Sequence, residues 1–247
     1  MRRVGIVRRA LSRAEVAQTG RAPPCQGGCR GFKSRLPLHL GGPAAVGPLF
    51  PLPRGGVLSP RTAARTAGVE RAVADLIAAL GLDPAAEPEL RNTPARVAQL
   101  YAEVFGGLDP GAEPDLESFA HASGDDDLVI VRDIPFHSIC VHHLVPFFGR
   151  ALVAYVPGEK IIGISGPARL VDFYARRPQL QERMGSGIAD HLERIVKPRG
   201  VAVVLEARHL CMEMRGIRKP GTVETRTVRG ALAEPRWAGA LRMSRRG

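Results

Sequence analysis

Hydrophobic side chains recur with helical spacing in two segments near the middle of the chain. The first segment predicts a helix from about Thr66 that stops at Gly81, a residue that readily adopts the left-handed conformation found at helix ends. A second helix is predicted from Asn92, a capping residue followed by Pro94 in the first turn, to Gly106. The apolar faces consist of Val69, Val73, Leu76, Ile77 and Leu80 in the first helix, and Val97, Leu100, Tyr101 and Val104 in the second.

The hydrophobic pattern then changes from the helical period to that of β-strands. An acidic stretch, Pro110–Asp127, has the composition of a loop. Beyond it, strands are predicted at Leu128–Ile134, Gly149–Val156, Lys160–Ile164, Val201–Arg208 and Thr222–Leu232, and helices at Pro167–Arg177 and Gln179–Val196. Because no regular strand–helix–strand repeat is present, the pattern predicts an α+β domain with a largely antiparallel sheet.

The charge of the chain is concentrated in its first 65 residues. The 247 residues carry a formal net charge of +11, and Met1–Arg65 accounts for all of it, with 12 Lys or Arg and one acid. This segment also holds 10 Gly and 8 Pro, a density that prevents a packed core, so residues 1–65 are predicted to be a disordered basic arm. Because residues 66–247 are neutral, the sequence argues against nucleic acid as the main partner, with binding by the arm as the alternative.

The sequence contains no segment of the kind that crosses a membrane. A spanning helix needs about 20 apolar residues, and no run reaches that length. The expectation is therefore a cytoplasmic protein without a membrane partner. Residues 1–20 are rich in Arg and nearly free of acids, which is typical of organelle transit peptides. A coding bias that gives 31 Arg to 4 Lys, or a start codon placed too far upstream, explains the same composition.

Two segments of the predicted domain combine cysteine with histidine. Cys140 and His143 are spaced so that one turn can supply two metal ligands, and Cys211 lies near the end of a predicted strand. Thiolate and imidazole are the ligands that zinc prefers, and a catalytic zinc commonly has three protein ligands and one open position. His142 and His209 lie beside these ligands and are candidates for proton transfer, because histidine titrates near neutral pH.

The same residues also fit simpler roles. A structural zinc site uses four protein ligands, and the chain has enough His and Cys to supply them. Cys211 also fits a core position, since free cysteine is among the residues most often buried. The spacing alone does not choose between these alternatives.

Residues 66–232 resemble the GTP cyclohydrolase I family through five segments in the family's order. The segments are Asn92–Leu108, Val131–Phe136, Cys140–Phe147 (CVHHLVPF), Arg176–Met184 (RRPQLQERM) and His209–Gly216 (HLCMEMRG). The resemblance implies the tunnelling fold, with helices packed on one face of an antiparallel sheet. It divides residues 66–247 into a helical lead-in, 66–127, and the fold proper, 128–232. It also implies a homo-oligomer, a decamer of two pentameric rings with active sites between subunits.

The resemblance also implies a reaction and a set of site residues. Members hydrolyse guanine C8 of GTP, release formate and form 7,8-dihydroneopterin triphosphate, the first step of folate and pterin biosynthesis. By position, the residues that match the zinc ligands are Cys140, His143 and Cys211; those that match catalytic residues are His142, His209 and Ser165. Gln181 and Glu182 match the guanine-binding segment, and Arg96, Arg169 and Arg215 match residues that bind the triphosphate, a role suited to guanidinium groups.

The chain departs from the family pattern at three positions. Val141 stands where the family usually has Glu, and Gly166 and Gln99 stand where lysines are usual. Loss of two cations weakens binding of a triphosphate. Two further hypotheses therefore stand beside GTP cyclohydrolase I: a divergent enzyme acting on a related guanine nucleotide in a specialised pathway, and a non-catalytic, zinc-stabilised oligomer.

Overall fold

The structure is a computed structural model that describes residues 60–109, 111–121 and 127–243, without the side chains of residues 60 and 61. Its helices are α1 Pro60–Ala79, α2 Thr93–Val104, α3 Gly166–Ala175, α4 Gln181–Val196 and α5 Leu210–Glu213. Its strands are β1 Ser118–Ala120, β2 Val129–Cys140, β3 Pro146–Val156, β4 Lys160–Ile162, β5 Pro178–Gln179, β6 Gly200–His209 and β7 Thr222–Gly230. Short 3-10 helices cover Pro88–Leu90, Gly106–Leu108, Ala231–Ala233 and Pro235–Trp237. None of the described helices is long and apolar enough to cross a membrane.

The lead-in helix α1 begins earlier than the sequence predicts. It starts at Pro60 instead of Thr66, and proline is favoured in a first helical turn because its φ is already helical. The start is held by contacts with Asp109, which accepts a hydrogen bond from Thr62 and pairs with Arg65 at 2.8 Å. The predicted arm up to residue 59, including the possible transit peptide, lies outside the described residues.

The C-terminal end of α1 and both ends of α2 follow the signals predicted from the sequence. Gly81 has a φ of +76°, and the N–H of Leu82 donates to the carbonyl of Ile77, which is the hydrogen bond of a glycine-terminated helix. Helix α2 has Pro94 in its first turn and gives way to the 3-10 helix at Gly106.

A five-stranded sheet in the order β5-β2-β3-β6-β7 forms the centre of the domain. The pairs β2–β3, β3–β6 and β6–β7 are antiparallel, and the two residues of β5 pair with the end of β2 in parallel. The predicted α+β class with a largely antiparallel sheet is confirmed. Because Pro178–Gln179 belongs to the sheet, α4 begins at Gln181 and not at Gln179 as predicted.

Strand β2 is longer than the predicted segment Leu128–Ile134. It continues to Cys140, past an irregularity between Val131 and Ile134 where Asp133 has a φ of +52°. Here β2 is an edge strand, since β5 pairs only with its last two residues, and edge strands tolerate a residue such as Pro135. The extended strand ends at Cys140, the first of the three candidate metal ligands.

The stretch predicted as loop, Pro110–Asp127, contains a short strand. Ser118–Ala120 pairs with β4 as a separate two-stranded antiparallel sheet. Three residues are too few for an alternating pattern to be visible in the sequence, so only the partner strand reveals it.

The two middle strands of the sheet, β3 and β6, are buried on both faces, and helices cover one of these faces. Alternate residues of β3 and β6 face α3 and α4; this core includes Ala151, Val153, Tyr155, Leu170, Met184, Ile188, Leu192, Val201, Val203 and Leu205. The opposite face is covered by the chain after β7; that core includes Leu152, Ala154, Ala202, Val204, Leu232 and Leu241. Burial on both faces explains why these strands have nearly continuous apolar sequences.

Helix α3 connects the two ends of this fold. At the C-terminal end of α3, the carbonyl of Ala175 accepts a hydrogen bond from the Ser138 hydroxyl at 2.7 Å. Ser138 lies two residues before Cys140, so this end of α3 is close to the candidate metal ligands. Its N-terminal end follows β4 and therefore lies one helix length away, which is about 15 Å for ten residues.

Candidate metal centre and active site

A tight turn at the end of β2 presents the first two candidate ligands. The N–H of Cys140 donates to the carbonyl of Val145, and the N–H of Leu144 donates back to the carbonyl of Cys140, each at 2.9 Å. Leu144 adopts a φ of +51°, which lets the chain reverse within these few residues. The turn sets the rings of His142 and His143 next to each other, with centroids 6.2 Å apart.

The register of the sheet brings the second motif to the same place. Phe147, the second residue of β3, pairs with His209, the last residue of β6. Cys211 was predicted at the end of a strand but lies in α5, the single helical turn that follows β6. This turn directs the cysteine toward the residues that end β2.

Cys140, His143 and Cys211 form a group that could hold a metal ion. One ligand atom from each lies within 4.8 Å of the others, and two thiols with an imidazole are a donor set typical of zinc. Burial raises the pKa of Cys211, and the neighbouring Cys140 thiol raises it further. A shared cation would remove this penalty because it stabilises both thiolates, so the residues present fit a zinc ion.

His209 is held in a defined orientation. Its ring stacks on Phe147, with centroids 4.6 Å apart and planes within 2°, and its Nε2 lies 2.8 Å from Oε1 of Gln181. An amide oxygen only accepts, so Nε2 carries the proton and Nδ1 is the free nitrogen of the neutral ring. Burial lowers the pKa of His209, while the charge of Glu182 raises it.

The amide of Gln181 is engaged inside the protein. Gln181 is 2% exposed, and its Nε2 donates to the carbonyls of Leu205 and Val223 at 3.0 Å and to the hydroxyl of Thr225 at 3.1 Å. These contacts fix its oxygen toward His209. Guanine binding by Gln181, which the resemblance implies, would require breaking them, whereas the neighbouring Glu182 is exposed.

Two further candidates border the metal group from the solvent side. His142 is exposed, and its Nδ1 lies 3.8 Å from the sulfur of Cys140. Arg215 is also exposed and donates from Nη1 to Nε2 of His143 at 2.8 Å. A proton-transfer group and a guanidinium therefore stand on the open side of the three ligands.

The remaining candidates are not brought to this place within one chain. Ser165 and Arg169 line a cavity of about 260 Å³ at the start of α3, together with Asp115 and Glu117. The guanidinium of Arg169 donates to the backbone carbonyl of Asp115 at 2.8 Å. Arg96 is exposed on α2. The site residues therefore form two groups, separated along α3.

The three departures from the family pattern occupy different surroundings. Val141 is 37% exposed in the turn beside the metal group, and Gln99 is exposed on α2. Gly166 is buried, and a Cβ added there would lie 2.8 Å from Cδ1 of Ile162. A side chain at this position would therefore require Ile162 to move.

Sequence reasoning missed Phe147 and Thr225 as members of the site. Phe147 supports the ring of His209, and Thr225 holds the amide of Gln181. Both act through the register of β3, β6 and β7, for which the sequence carries no local signal. The placement of Phe147 within the segment CVHHLVPF was the one available indication.

The chain is similar to known proteins of one family. The family model for GTP cyclohydrolase I matches residues 69–243. GTP cyclohydrolase 1 of Halalkalibacterium halodurans is 51% identical over 169 residues, which are 67% of this chain and 88% of that protein. GTP cyclohydrolase 1 of Mycolicibacterium vanbaalenii is 52% identical over 167 residues, 66% of this chain and 82% of that protein.

Among solved structures, the chain is similar to archaeosine synthase QueF-Like in the apo form. The TM-score is 0.33, with 20% identity over 42% of this chain and 96% of that one, which is too low to bear on fold or function. The match of the family model over most of the domain, with relatives at about half identity, is decisive by itself. The chain belongs to the GTP cyclohydrolase I family.

Proposed function

We propose that this protein is a zinc-dependent GTP cyclohydrolase I that converts GTP and water into formate and 7,8-dihydroneopterin triphosphate. The observation that carries the proposal is the convergence of Cys140, His143 and Cys211 with two histidines at one end of the sheet. Family membership and the names of its relatives support the same activity. The product commits the enzyme to the first step of folate and pterin biosynthesis.

The metal would be held by Cys140, His143 and Cys211. When bound, zinc supplies Lewis-acid activation of the water that hydrolyses the imidazole ring of guanine. The three ligands come from two elements, the turn after β2 and the turn after β6, so the fold sets their spacing before the metal arrives.

Two histidines are assigned to proton transfer. His142 is exposed beside the ligands and has room for substrate. His209 keeps its proton on Nε2 because Gln181 accepts from that atom, so Nδ1 is the nitrogen that can take a proton from substrate or water. The lowered pKa of His209 keeps a larger share of the ring in this neutral, accepting form near pH 7.

Recognition of GTP is assigned to residues in both groups. The carboxylate of Glu182 can accept from the ring N–H and the exocyclic amine of guanine, which adenine does not present in that arrangement. Arg96, Arg169 and Arg215 suit the triphosphate, and Ser165 suits the ribose during its rearrangement. Because Ser165 and Arg169 lie one helix length from the metal group, a complete site requires the α3 start of a second copy.

This arrangement supports the homo-oligomer expected from the sequence. The family resemblance is the basis for proposing a decamer, and a cytoplasmic setting is proposed with it. Size-exclusion chromatography with light scattering measures the mass directly. A monomer that nevertheless converts GTP would contradict the shared site.

The activity is tested with purified full-length protein, GTP and zinc, following pterin fluorescence and formate. We expect both products, and we expect His142→Ala to lower kcat by about 10²–10⁴-fold, the range for loss of a proton-transfer group. The matched control is His121→Ala, a histidine beside β1 that contacts Asp127. Product from GDP or GMP but not from GTP would favour the divergent enzyme, and no product from any guanine nucleotide would favour the non-catalytic oligomer.

A further inference from the structure

A second cavity, of about 450 Å³, lies between the end of α3 and the first half of α4 and is bordered by Leu108. Its lining includes Tyr174, Arg177, Arg183 and Ser186. None of the nine lining residues belongs to the metal group or to the catalytic and binding residues assigned above. It therefore requires an explanation of its own.

The cavity contains two guanidinium groups that form no direct ion pair among the described residues, although the charge of Glu113 acts on Arg177 from a distance. Arg177 donates from Nη2 to the carbonyl of Gly107 at 2.7 Å, and its buried Nε has no acceptor within the part of the chain that the structure describes. Arg183 donates to Oε1 of Gln179 and to the carbonyl of Pro178, both neutral groups. The direct hydrogen-bond partners of both side chains are therefore neutral groups.

The one acidic residue of the lining is already paired. Asp190 accepts from Arg229 at 2.6 Å, so its charge is balanced outside the cavity. Burial lowers the pKa of Arg177 and the proximity of Arg183 lowers it further, whereas Tyr174 and Glu113 raise it. The carboxylate of Glu113 is already paired with Arg194. The guanidinium of Arg177 also rests on an aromatic ring, because its Cζ lies 4.3 Å from the centroid of the Phe173 ring.

We propose that this cavity binds a phosphoryl group. Two fixed guanidinium charges are balanced by one phosphate dianion, whereas a single carboxylate leaves one charge uncompensated. The hydroxyl of Ser186 adds a donor in the lining. This site is separate from the proposed catalytic centre and does not depend on the reaction assigned to it.

Free phosphate and a phosphate ester of a small metabolite share this chemistry. The cavity is larger than a phosphate ion, and Leu108 and Tyr174 offer an apolar wall to the remainder of an ester. Titration of full-length protein with inorganic phosphate and with phenyl phosphate, followed by calorimetry, separates the two. Tighter binding of phenyl phosphate identifies an ester site, and equal binding identifies a site for free phosphate.

Two variants test the assignment of the anion to this cavity. Arg183→Gln removes one charge and should weaken phosphate binding at least about tenfold, the effect of one charge-assisted hydrogen bond. Ser186→Asp supplies an internal carboxylate to the arginines. We expect it to abolish phosphate binding while the melting temperature without phosphate stays at or above that of the wild type, which excludes loss of folding as the cause.

The control for charge is Arg236→Gln, which removes an arginine paired with Glu234 on the 3-10 helix after β7 and should bind phosphate as the wild type does. Arg215→Gln tests whether phosphate binds instead beside the candidate metal ligands, where Arg215 contacts His143. The proposal is overturned if no phosphate binds at millimolar concentration. It is also overturned if Arg215→Gln removes binding while Arg183→Gln retains it. Because each of these experiments measures phosphate binding, failure of the phosphate-site proposal is independent of whether the protein converts GTP.

Discussion

The two ends of α3 contain residues assigned to one reaction but differ in how completely a single chain organises them. Near the C-terminal end, Cys140, His143 and Cys211 lie close together, His209 contacts Gln181, and Phe147 stacks on His209. At the N-terminal end, Ser165 and Arg169 share a cavity with two carboxylates, and Arg169 binds a backbone carbonyl. In the proposed function, hydrolysis thus uses groups that one chain brings together, whereas binding of the triphosphate uses groups that it does not.

This difference indicates that the two tasks are placed under different structural control. A metal site needs ligands fixed to within tenths of an ångström, which the register of one sheet provides. Phosphate contacts tolerate more variation, so arginines on another copy can supply them. The proposed function therefore couples binding of substrate to assembly and leaves metal binding to the single chain.

The largest effect is expected for the metal end. Cys211→Ala removes one of three ligands, and both bound zinc and turnover of GTP should fall to background. Zinc is measured by elemental analysis of the purified protein, and turnover by formate release. The control is Met214→Ala, an exposed neighbour of the same turn, which should retain both. Full turnover by Cys211→Ala would remove this cysteine from the site.

The second-largest effect tests whether one active site is built from a single chain or from two chains. Arg169→Ala alters the α3 start and Cys211→Ala the metal end, so each variant alone should be impaired. In co-expressed mixtures, random pairing of intact ends should restore roughly a quarter of wild-type sites. The measurement is GTP turnover per subunit in the purified mixture. Activity equal to the sum of the separate variants would mean that both groups act within one chain.

A smaller effect tests the role of Gln181 at the metal end. Gln181→Met removes the acceptor for His209 and should lower kcat about 10–100-fold with little change in KM, as expected when a positioning contact is lost. A rise in KM with kcat retained would instead support the guanine-binding role that the resemblance implies. Thr225→Val is the matched control, since it removes one of the three acceptors of the same amide and keeps Gln181 itself.

The smallest effect concerns a histidine outside both ends. His191 is buried, and its Nδ1 lies 3.3 Å from the hydroxyl of Tyr174. Burial lowers its pKa from the ordinary 6.5, and Arg194 lowers it further, while Glu113 raises it. The unfolded chain thus binds a proton that the folded chain does not, so this contribution to stability is present above about pH 6.5 and is lost as the pH falls below it.

Melting temperatures between pH 5 and 8 measure this contribution. His191→Gln should have a shallower decline toward acid than the wild type, and Tyr174→Phe, which keeps the imidazole, should retain the decline. An identical pH dependence in the wild type and His191→Gln would contradict the assignment to His191.

Local patterns in the sequence were sufficient for much of the fold. The helical period predicted α2, and Gly81 marked the end of α1, because these signals act within one or two turns of chain. Apolar runs predicted β3 and β6, which are buried on both faces. The short strands β1 and β5 escaped prediction, since two or three positions show no period.

The sequence by itself determined which residues can bind a metal, since Cys140, His143 and Cys211 are chemically suited wherever the chain brings them together. Only the tertiary structure decided that Gln181 faces His209, because its amide is held by Leu205 and Val223, 24 and 42 residues away. It also decided that Ser165 lies a helix length from the metal group. Spacing along a chain reports local periodicity, whereas orientation and separation depend on strand register and burial, which arise only when distant segments pack.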